Sequence, residues 1–377
     1  MENLVTILRP AFAGHSVLVT GHTGFKGSWL CEWLLALGAR VHGFALPPES
    51  SDTLFVRAGL AARMEHREGD IRDATALAQA VATIKPELVL HLAAQPLVRR
   101  SYEIPVETFA TNAIGTAHLL DAVRRSGHEC TVVAVTTDKV YENREWLHGY
   151  REEDPLGGYD PYSASKAATE LVVASYRRSF FADGRVALAS ARAGNVIGGG
   201  DWAVDRIVPD CVRSMAAHLP VVMRNPGATR PWQHVLEPLC GYLLLATALR
   251  NAQTRRDTTA LHRLCTAFNF GPEADANRPV RDLVSAIAAA WPGGGRSVEQ
   301  PAPNAPHEAG LLHLSIDKAR HLLGWKPVWP FDQTVSVTVT GYTGLAAAST
   351  ALAAQTVLRD QIAAFEAAAT FDVPWAR

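Results

Sequence analysis

Along the first half of the chain, short apolar runs alternate with segments whose apolar positions recur at helical spacing. Ser16-Val17-Leu18-Val19-Thr20 is a β-branched run that stops at Gly21, and residues 28–37 then carry a helical pattern closed by Gly38. The theme returns at residues 40–46, before Gly69, at 87–92 and at 131–135, always in runs of strand length. Strands without polar alternation are buried on both faces, and strands that take turns with helices pair in parallel. The pattern therefore predicts an α/β fold built on a doubly wound parallel sheet. Residues 186–191 and 268–270 read as further strands, 253–259 as a polar loop, 292–306 as irregular and 317–323 as a short helix. Residues 334–370 are alanine-rich and mostly helical, with an apolar stripe that packs on the body or on another subunit.

Composition narrows the function classes. The chain has 377 residues, 48% of them hydrophobic, enough for two packed units or one large domain with insertions. A formal net charge of −1 offers no electrostatic basis for binding nucleic acid or an anionic membrane. Cys31, Cys130, Cys211, Cys240 and Cys265 are widely scattered, with no metal-ligand spacing, so no metal site is expected. Free thiols fit a reducing cytoplasm. Residues 1–13 lack the features of a signal peptide, and no apolar run has bilayer-spanning length.

The chemistry begins at the first turn. Gly21-His22-Thr23-Gly24-Phe25-Lys26-Gly27 lies between a strand and a helix, the context that a dinucleotide fingerprint requires. Gly21 permits the tight turn, Gly24 lets backbone approach a pyrophosphate, and Gly27 lets helix pack on strand. A nucleotide-triphosphate loop is excluded, because Lys26 precedes Gly27 instead of following it. The end of the second predicted strand carries no acid for an adenosine ribose; the first is Glu49, past Pro47-Pro48, which leaves NAD against NADP open. Asp70 either accepts from an adenine amino group or caps the helix near Ala74. His91, in an apolar run, reads as a satisfied core histidine. Asn112 in a helical stretch implies a functional or buried hydrogen bond.

Two further stretches complement one another. Thr136-Thr137-Asp138-Lys139-Val140-Tyr141 begins where the 131–135 strand stops. Tyr162 and Lys166, four residues apart, share one face of a helix. An ammonium beside a phenol favours the phenolate, which would make Tyr162 a base near neutral pH beside a nicotinamide. Gly198-Gly199-Gly200 lets backbone approach a ligand, Arg206 and Arg230 suit a diphosphate, and Trp202 and Trp232 read as core aromatics.

Residues 20–30, 137–143 and 160–166 together resemble the extended short-chain dehydrogenase/reductases, the NAD-dependent epimerase/dehydratase family, and within it the sugar-nucleotide 4,6-dehydratases. Gly194-Asn195-Val196-Ile197-Gly198-Gly199-Gly200-Asp201-Trp202, residues 230–235 and Pro306-His307-Glu308-Ala309 extend the resemblance over nearly the whole chain, from about Gly14 to about Pro327. The resemblance implies a Rossmann-type NAD-binding domain over residues 14–195, joined by parts of 230–270. It implies a smaller mixed α/β C-terminal substrate-binding lobe from 196–229 and 271–340, then a helical tail over 341–377. The implied reaction oxidises a sugar C4 hydroxyl with bound NAD, eliminates water across C5 and C6, and returns the hydride to C6. The alternatives are a 4-epimerase, or a cofactor-binding protein without catalysis.

Roles implied by the resemblance fall on matching residues. Tyr162 is the C4-hydroxyl base, Lys166 tunes it, Thr137 bonds the C4 oxygen and Asp138 protonates the departing C6 hydroxyl. Lys139 stands where related dTDP-glucose enzymes carry a glutamate base; it either takes the C5 proton or stabilises the enolate. Gly21, Thr23, Gly24, Phe25, Lys26, Gly27, Asp70, Ile71, Leu92, Ala93, Ala94 and Thr111, with Tyr162 and Lys166, are the implied cofactor contacts. Gln95, Asn112, Asn195, Arg206 and Arg230 are the implied contacts to a nucleotide-sugar substrate. A homodimer or dimer of dimers, through helices at 112–123 and 165–178, is the implied assembly.

Overall fold

The computed structural model describes residues 2–300 and 310–375; Pro306-His307-Glu308-Ala309 and the end of the 292–306 stretch lie outside the described residues. One parallel sheet holds seven strands: β1 (Ser16–Thr20), β2 (Arg40–Ala45), β3 (Glu65–Glu68), β4 (Leu88–His91), β5 (Cys130–Val135), β6 (Val186–Ala193) and β7 (Ala267–Phe270). Their order is β7-β6-β5-β4-β1-β2-β3, so the direction of winding reverses between β1 and β4. Beyond the carboxyl ends of strands at such a reversal lies the crevice where ligands bind in this architecture.

Helices cover both faces. On one, α2 (Ala74–Ile84), α3 (Gly115–Ser126) and α4 (Pro161–Ser179) bury Leu77, Leu120 and Val173 against Val89 and Val132. On the other, α1 (Phe25–Ala36) and α5 (Leu236–Thr254) pack with the N-terminal helix Leu4–Phe12 against Val17, Leu90 and Val133. β1, β4 and β5 are buried along their whole length, which is why they read as continuous apolar runs.

Local chemistry sets several boundaries. Asp73, not Asp70, caps α2, accepting from Thr75 N and Ala76 N at 3.0 Å. The stretch at 253–259 is mostly helical: α5 runs to Thr254, and Asp257 caps a second helix, Thr258–Leu264. Residues 254–259 are exposed, while Gln253 turns inward to Thr131 Oγ1 and the carbonyls of Gly184 and Arg185, and the polarity of the stretch imitates a loop. A π-helical turn at Ala110–Ile114 precedes α3, where an uninterrupted helix was expected.

The chain beyond β6 forms a second cluster, in which Val208, Met215, Met223, Trp232, Leu283 and Tyr342 are buried. Trp232 is core, whereas Trp202 is 37% exposed and lies edge-on to Tyr342, contrary to the core role expected for it. Among the described residues no helix is long and apolar enough to cross a membrane, and no His, Cys, Asp or Glu cluster suits a metal ion.

The C-terminal helix α6 (Ala351–Ala368) packs on the body against α1. The Glu32 carboxylate on α1, fully shielded from solvent, holds it there through Arg359 at 2.8 Å, and also pairs with Arg63, from the segment before β3, at 2.5 Å. Removing one partner of a buried ion pair strands the other charge. Arg63 is 20% exposed and Arg359 48%. Arg63→Ala should therefore lower unfolding stability by about 2 kcal/mol and Arg359→Ala by less than about 1 kcal/mol, since exposure screens the second contact. Denaturant titration of the two variants checks the order; equal or reversed losses would contradict it.

Candidate active site

The glycine turn after β1 is a cradle fixed by close backbone contacts. Gly21 has φ +75°, and a Cβ there would lie 2.7 Å from Ala93 N. A Cβ on Gly27 would lie 2.1 Å from the Gly21 carbonyl. No side chain caps α1 at Gly24, so its first-turn N–H groups face the crevice uncapped. Thr23 is tied back by its hydroxyl, which donates to Leu46 O at 3.0 Å. Bare backbone donors at a helix start, with no Cβ above them, fit a dinucleotide pyrophosphate. Leu92, Ala93 and Ala94 follow β4 beside the turn, with the Ala93 N–H on the Thr20 hydroxyl.

The other expected cofactor contacts are dispersed. Phe25 is half-buried beneath Gly198, near the ring end. Asp70 pairs with Arg72, which holds its carboxyl below the ordinary range. Ile71 is buried under Gly115, and Thr111 is half-buried in the π-turn. His91 is a satisfied core histidine, between Thr20 Oγ1 at 2.6 Å and Thr116 Oγ1 at 2.9 Å.

At the carboxyl end of β5 the polar groups converge. Thr137 Oγ1 donates to Asp138 Oδ1 at 3.0 Å and also hydrogen-bonds Tyr162. Asp138 is 3% exposed. Burial pushes its carboxyl above the ordinary range, against the pull of Lys139, the Thr137 hydrogen bond, Arg230 and Lys26. Gly194 leaves room for it, since a Cβ there would lie 2.9 Å from Asp138 Oδ2. Asn195 follows directly, half-buried.

Lys166 donates to Val135 O at 3.0 Å, and burial lowers its pKa to about 8. Tyr162 moves the other way from the expectation: burial raises its phenol to about 12, offset in part by Thr137 and Arg206. The lysine spends its ammonium on a strand carbonyl instead of on the phenol, so sequence spacing alone overstated the acidification.

Arg206 pairs with Asp201 at 2.8 Å and still acts electrostatically on Tyr162 and Lys26. Arg230 donates to Thr229 O at 2.8 Å and acts on Asp138. Gln95 and Asn112 spend their hydrogen bonds inside the fold. Gln95 braces Leu97 and Thr108, while Asn112 links the Gln95 backbone to Ser165 on α4.

Lys26, expected at the cofactor, reaches in among these groups. Burial, then Arg206 and Lys166, lower it to about 7, and its Nζ donates to the Tyr242 hydroxyl at 3.2 Å. Sequence reasoning passed over Tyr242; the one signal was a lone phenol in the apolar run of α5.

A family model described as GDP-mannose 4,6 dehydratase matches residues 18–338. The chain belongs to that family. It is 48% identical over 327 residues to the CDP-glucose 4,6-dehydratase of Salmonella typhimurium, covering 85% of this chain and 89% of that protein. It is 30% identical over 335 residues to the dTDP-glucose 4,6-dehydratase of Streptomyces antibioticus, covering 87% and 92%. Among solved structures, the Thermus thermophilus UDP-glucose 4-epimerase in complex with NAD superposes with TM-score 0.71 at 28% identity, covering 87% of this chain and 99% of that one. A Streptomyces venezuelae dTDP-glucose 4,6-dehydratase with NAD bound gives 0.69 at 26%, covering 87% and 96%.

A methyl group on Gly27 forces the turn open. Gly27→Ala should weaken dinucleotide binding about tenfold or more, because losing one or two hydrogen bonds of about 1 kcal/mol each suffices. Calorimetric titration with NAD reads this; an unchanged dissociation constant would contradict the cradle.

Proposed function

We propose that the chain is an NAD-dependent hydro-lyase that converts CDP-glucose to CDP-4-keto-6-deoxyglucose. The observation that carries this reading is the shielded Asp138 carboxylic acid, bonded to the same Thr137 hydroxyl that meets Tyr162. A 4-epimerase needs the phenol but has no use for a proton-donating acid beside it. The 48% identity to a CDP-glucose 4,6-dehydratase supports cytidine as the base.

The chemistry NAD supplies when bound is reversible hydride storage, taken from C4 and given back at C6. The protein's part is to move protons and exclude water. The Tyr162 phenolate, favoured by Arg206, takes the C4-hydroxyl proton and becomes the phenol while Thr137 orients that oxygen. The 4-keto group makes the C5 proton acidic. Asp138 gives its proton to the C6 oxygen, which departs as water. Lys139, half-buried beside Asp138, takes the C5 proton or stabilises the enolate. A proton returns to C5 as the hydride returns to C6, so the sum is the loss of one water with no net change in cofactor. General acids must be protonated at working pH, and burial shifts Asp138 toward that form. Arg230 and backbone at Asn195 are the contacts for the diphosphate, between the sheet's carboxyl edge and the lobe formed by 196–229 and 271–340.

Val106, Ile114 and Leu171, exposed at 82%, 52% and 63%, are apolar positions suited to a homodimer through the helices around 112–123 and 165–178, or to a dimer of dimers. The four fully buried thiols and the half-buried Cys265 suit a reducing cytoplasm.

Incubation with CDP-, dTDP-, UDP- and GDP-linked glucose should give a product one water lighter from CDP-glucose first, by mass spectrometry. Water lost from none of them would refute the reading. Asp138→Asn should slow turnover by at least about a hundredfold, the usual contribution of a general acid. The folded-state pKa of Asp138 lies above its unfolded value, so stability is lost as pH rises through it. The asparagine variant escapes that loss, so its thermal midpoint relative to the unaltered protein should climb as pH rises above the ordinary carboxylate range and then level off. Near-intact turnover in this variant would favour epimerisation.

A further inference from the structure

Four side chains outside the reacting set hold the Asp138-Lys139 turn against the helix that carries Tyr162. The segment Thr136–Tyr141 leaves β5 with one ladder bond, Thr136 N to Ala191 O at 2.8 Å. Its first residue is then anchored by the Thr136 hydroxyl, which donates to Glu170 Oε1 at 2.5 Å. Its last is anchored by the Tyr141 hydroxyl, which donates to Asn269 Oδ1 at 2.7 Å and accepts from Arg192 Nη1 at 2.8 Å. Asp138 and Lys139 lie between these anchors in a single 3-10 turn, Asp138–Val140.

Both anchors lead to one ion pair. Arg192 meets Glu170 through Nε and Nη2, each at 3.0 Å, and both side chains are 4% exposed. Ser190 donates to the remaining carboxylate oxygen at 2.7 Å. Glu170 lies on α4 four residues after Lys166 and eight after Tyr162, hence on the same face. Sheet register supplies the rest, since Arg192 on β6 lies opposite Asn269 on β7. The Asn269 side-chain amide in turn donates to Tyr150 O and Ser315 O, tying in the chain that returns from the second lobe.

We infer that Glu170, Arg192, Tyr141 and Asn269 are positioning residues for water elimination, setting Asp138 and Lys139 relative to Tyr162 and Lys166. None of the four is a general acid or base for the sugar: each is buried and engaged with the others of the set. Their effect is geometric, and misplacing a reacting group by about 1 Å can cost about a hundredfold. Tyr162 and Lys166 hold their own places independently, through Ser101 Oγ on Tyr162 N and Val135 O on Lys166 Nζ. Loss of the relay should therefore slow elimination, for which it sets both Asp138 and Lys139, far more than C4 oxidation, which it reaches only through Thr137.

The inference rests on the dehydratase reading, and the test separates the two. Tyr141→Phe removes one hydroxyl from the lower anchor. Arg192→Lys keeps a buried cation but cannot reach Glu170 and Tyr141 at once. Thr136→Val repeats the test from the upper anchor. In single turnover with CDP-glucose, near-ultraviolet absorbance of reduced nicotinamide reports oxidation as it rises and the later steps as it decays. Deuterium uptake at C5 from heavy water reports the proton removal directly. The expected result is a rise within about twofold of the unaltered enzyme, with decay and C5 exchange slowed about tenfold or more. Equal slowing of rise and decay in all variants, or no change in either, would overturn the positioning role. Absence of any water loss in the unaltered enzyme would instead refute the dehydratase reading.

Discussion

The Glu170 carboxylate is the fixed point on which the site's geometry depends. Burial alone would raise it, but Arg192 and the hydroxyls of Thr136 and Ser190 hold it below the ordinary range, so it stays charged. A charge in that position is tolerable only with every lone pair engaged. Once engaged, it fixes two strand ends and one helix to each other. Asp138 and Lys139 inherit that rigidity from the strand side and are thereby set against Tyr162 and Lys166, which have anchors of their own.

Around this point the carboxyl edge of the sheet divides labour by position. The turn after β1 offers bare backbone donors because Gly21 and Gly27 leave no room for side chains. The turn after β5 offers a buried carboxyl raised above the ordinary range, because burial outweighs four nearby sources of stabilisation for its anion. The crevice also gathers Lys26, Lys166, Arg206 and Arg230, a concentration of cations suited to a diphosphate-bearing substrate and unlike the near-neutral chain as a whole.

The sheet was legible in the sequence because central parallel strands are buried on both faces, and the apolar runs at 16–20, 88–91 and 131–135 say so directly. The glycine turn and the Tyr162–Lys166 spacing were legible for the same local reason. What depended on tertiary partners was not. Lys166 sits four residues from Tyr162, yet its ammonium goes to a carbonyl on β5, and the phenol is raised. Asp70 and Asp73 look alike as caps; only the path of the chain gives the cap to Asp73. The 253–259 stretch is polar because residues 254–259 at two helix ends face water and Gln253 bonds the sheet edge. Glu170 and Arg192 carry no motif at all, since their pairing exists only through packing of α4 on β6.

The most direct test of a single site that oxidises and eliminates is the fate of the hydrogen on C4. CDP-glucose deuterated at C4, mixed with unlabelled CDP-glucose carrying carbon-13 in the ring, would be turned over together and the products resolved by mass and NMR. If Tyr162 and Asp138 act on one enclosed sugar, deuterium moves to C6 of the same molecule and never reaches the carbon-13 product. Deuterium retained at C4, washed out into water, or shared between the two products would contradict it.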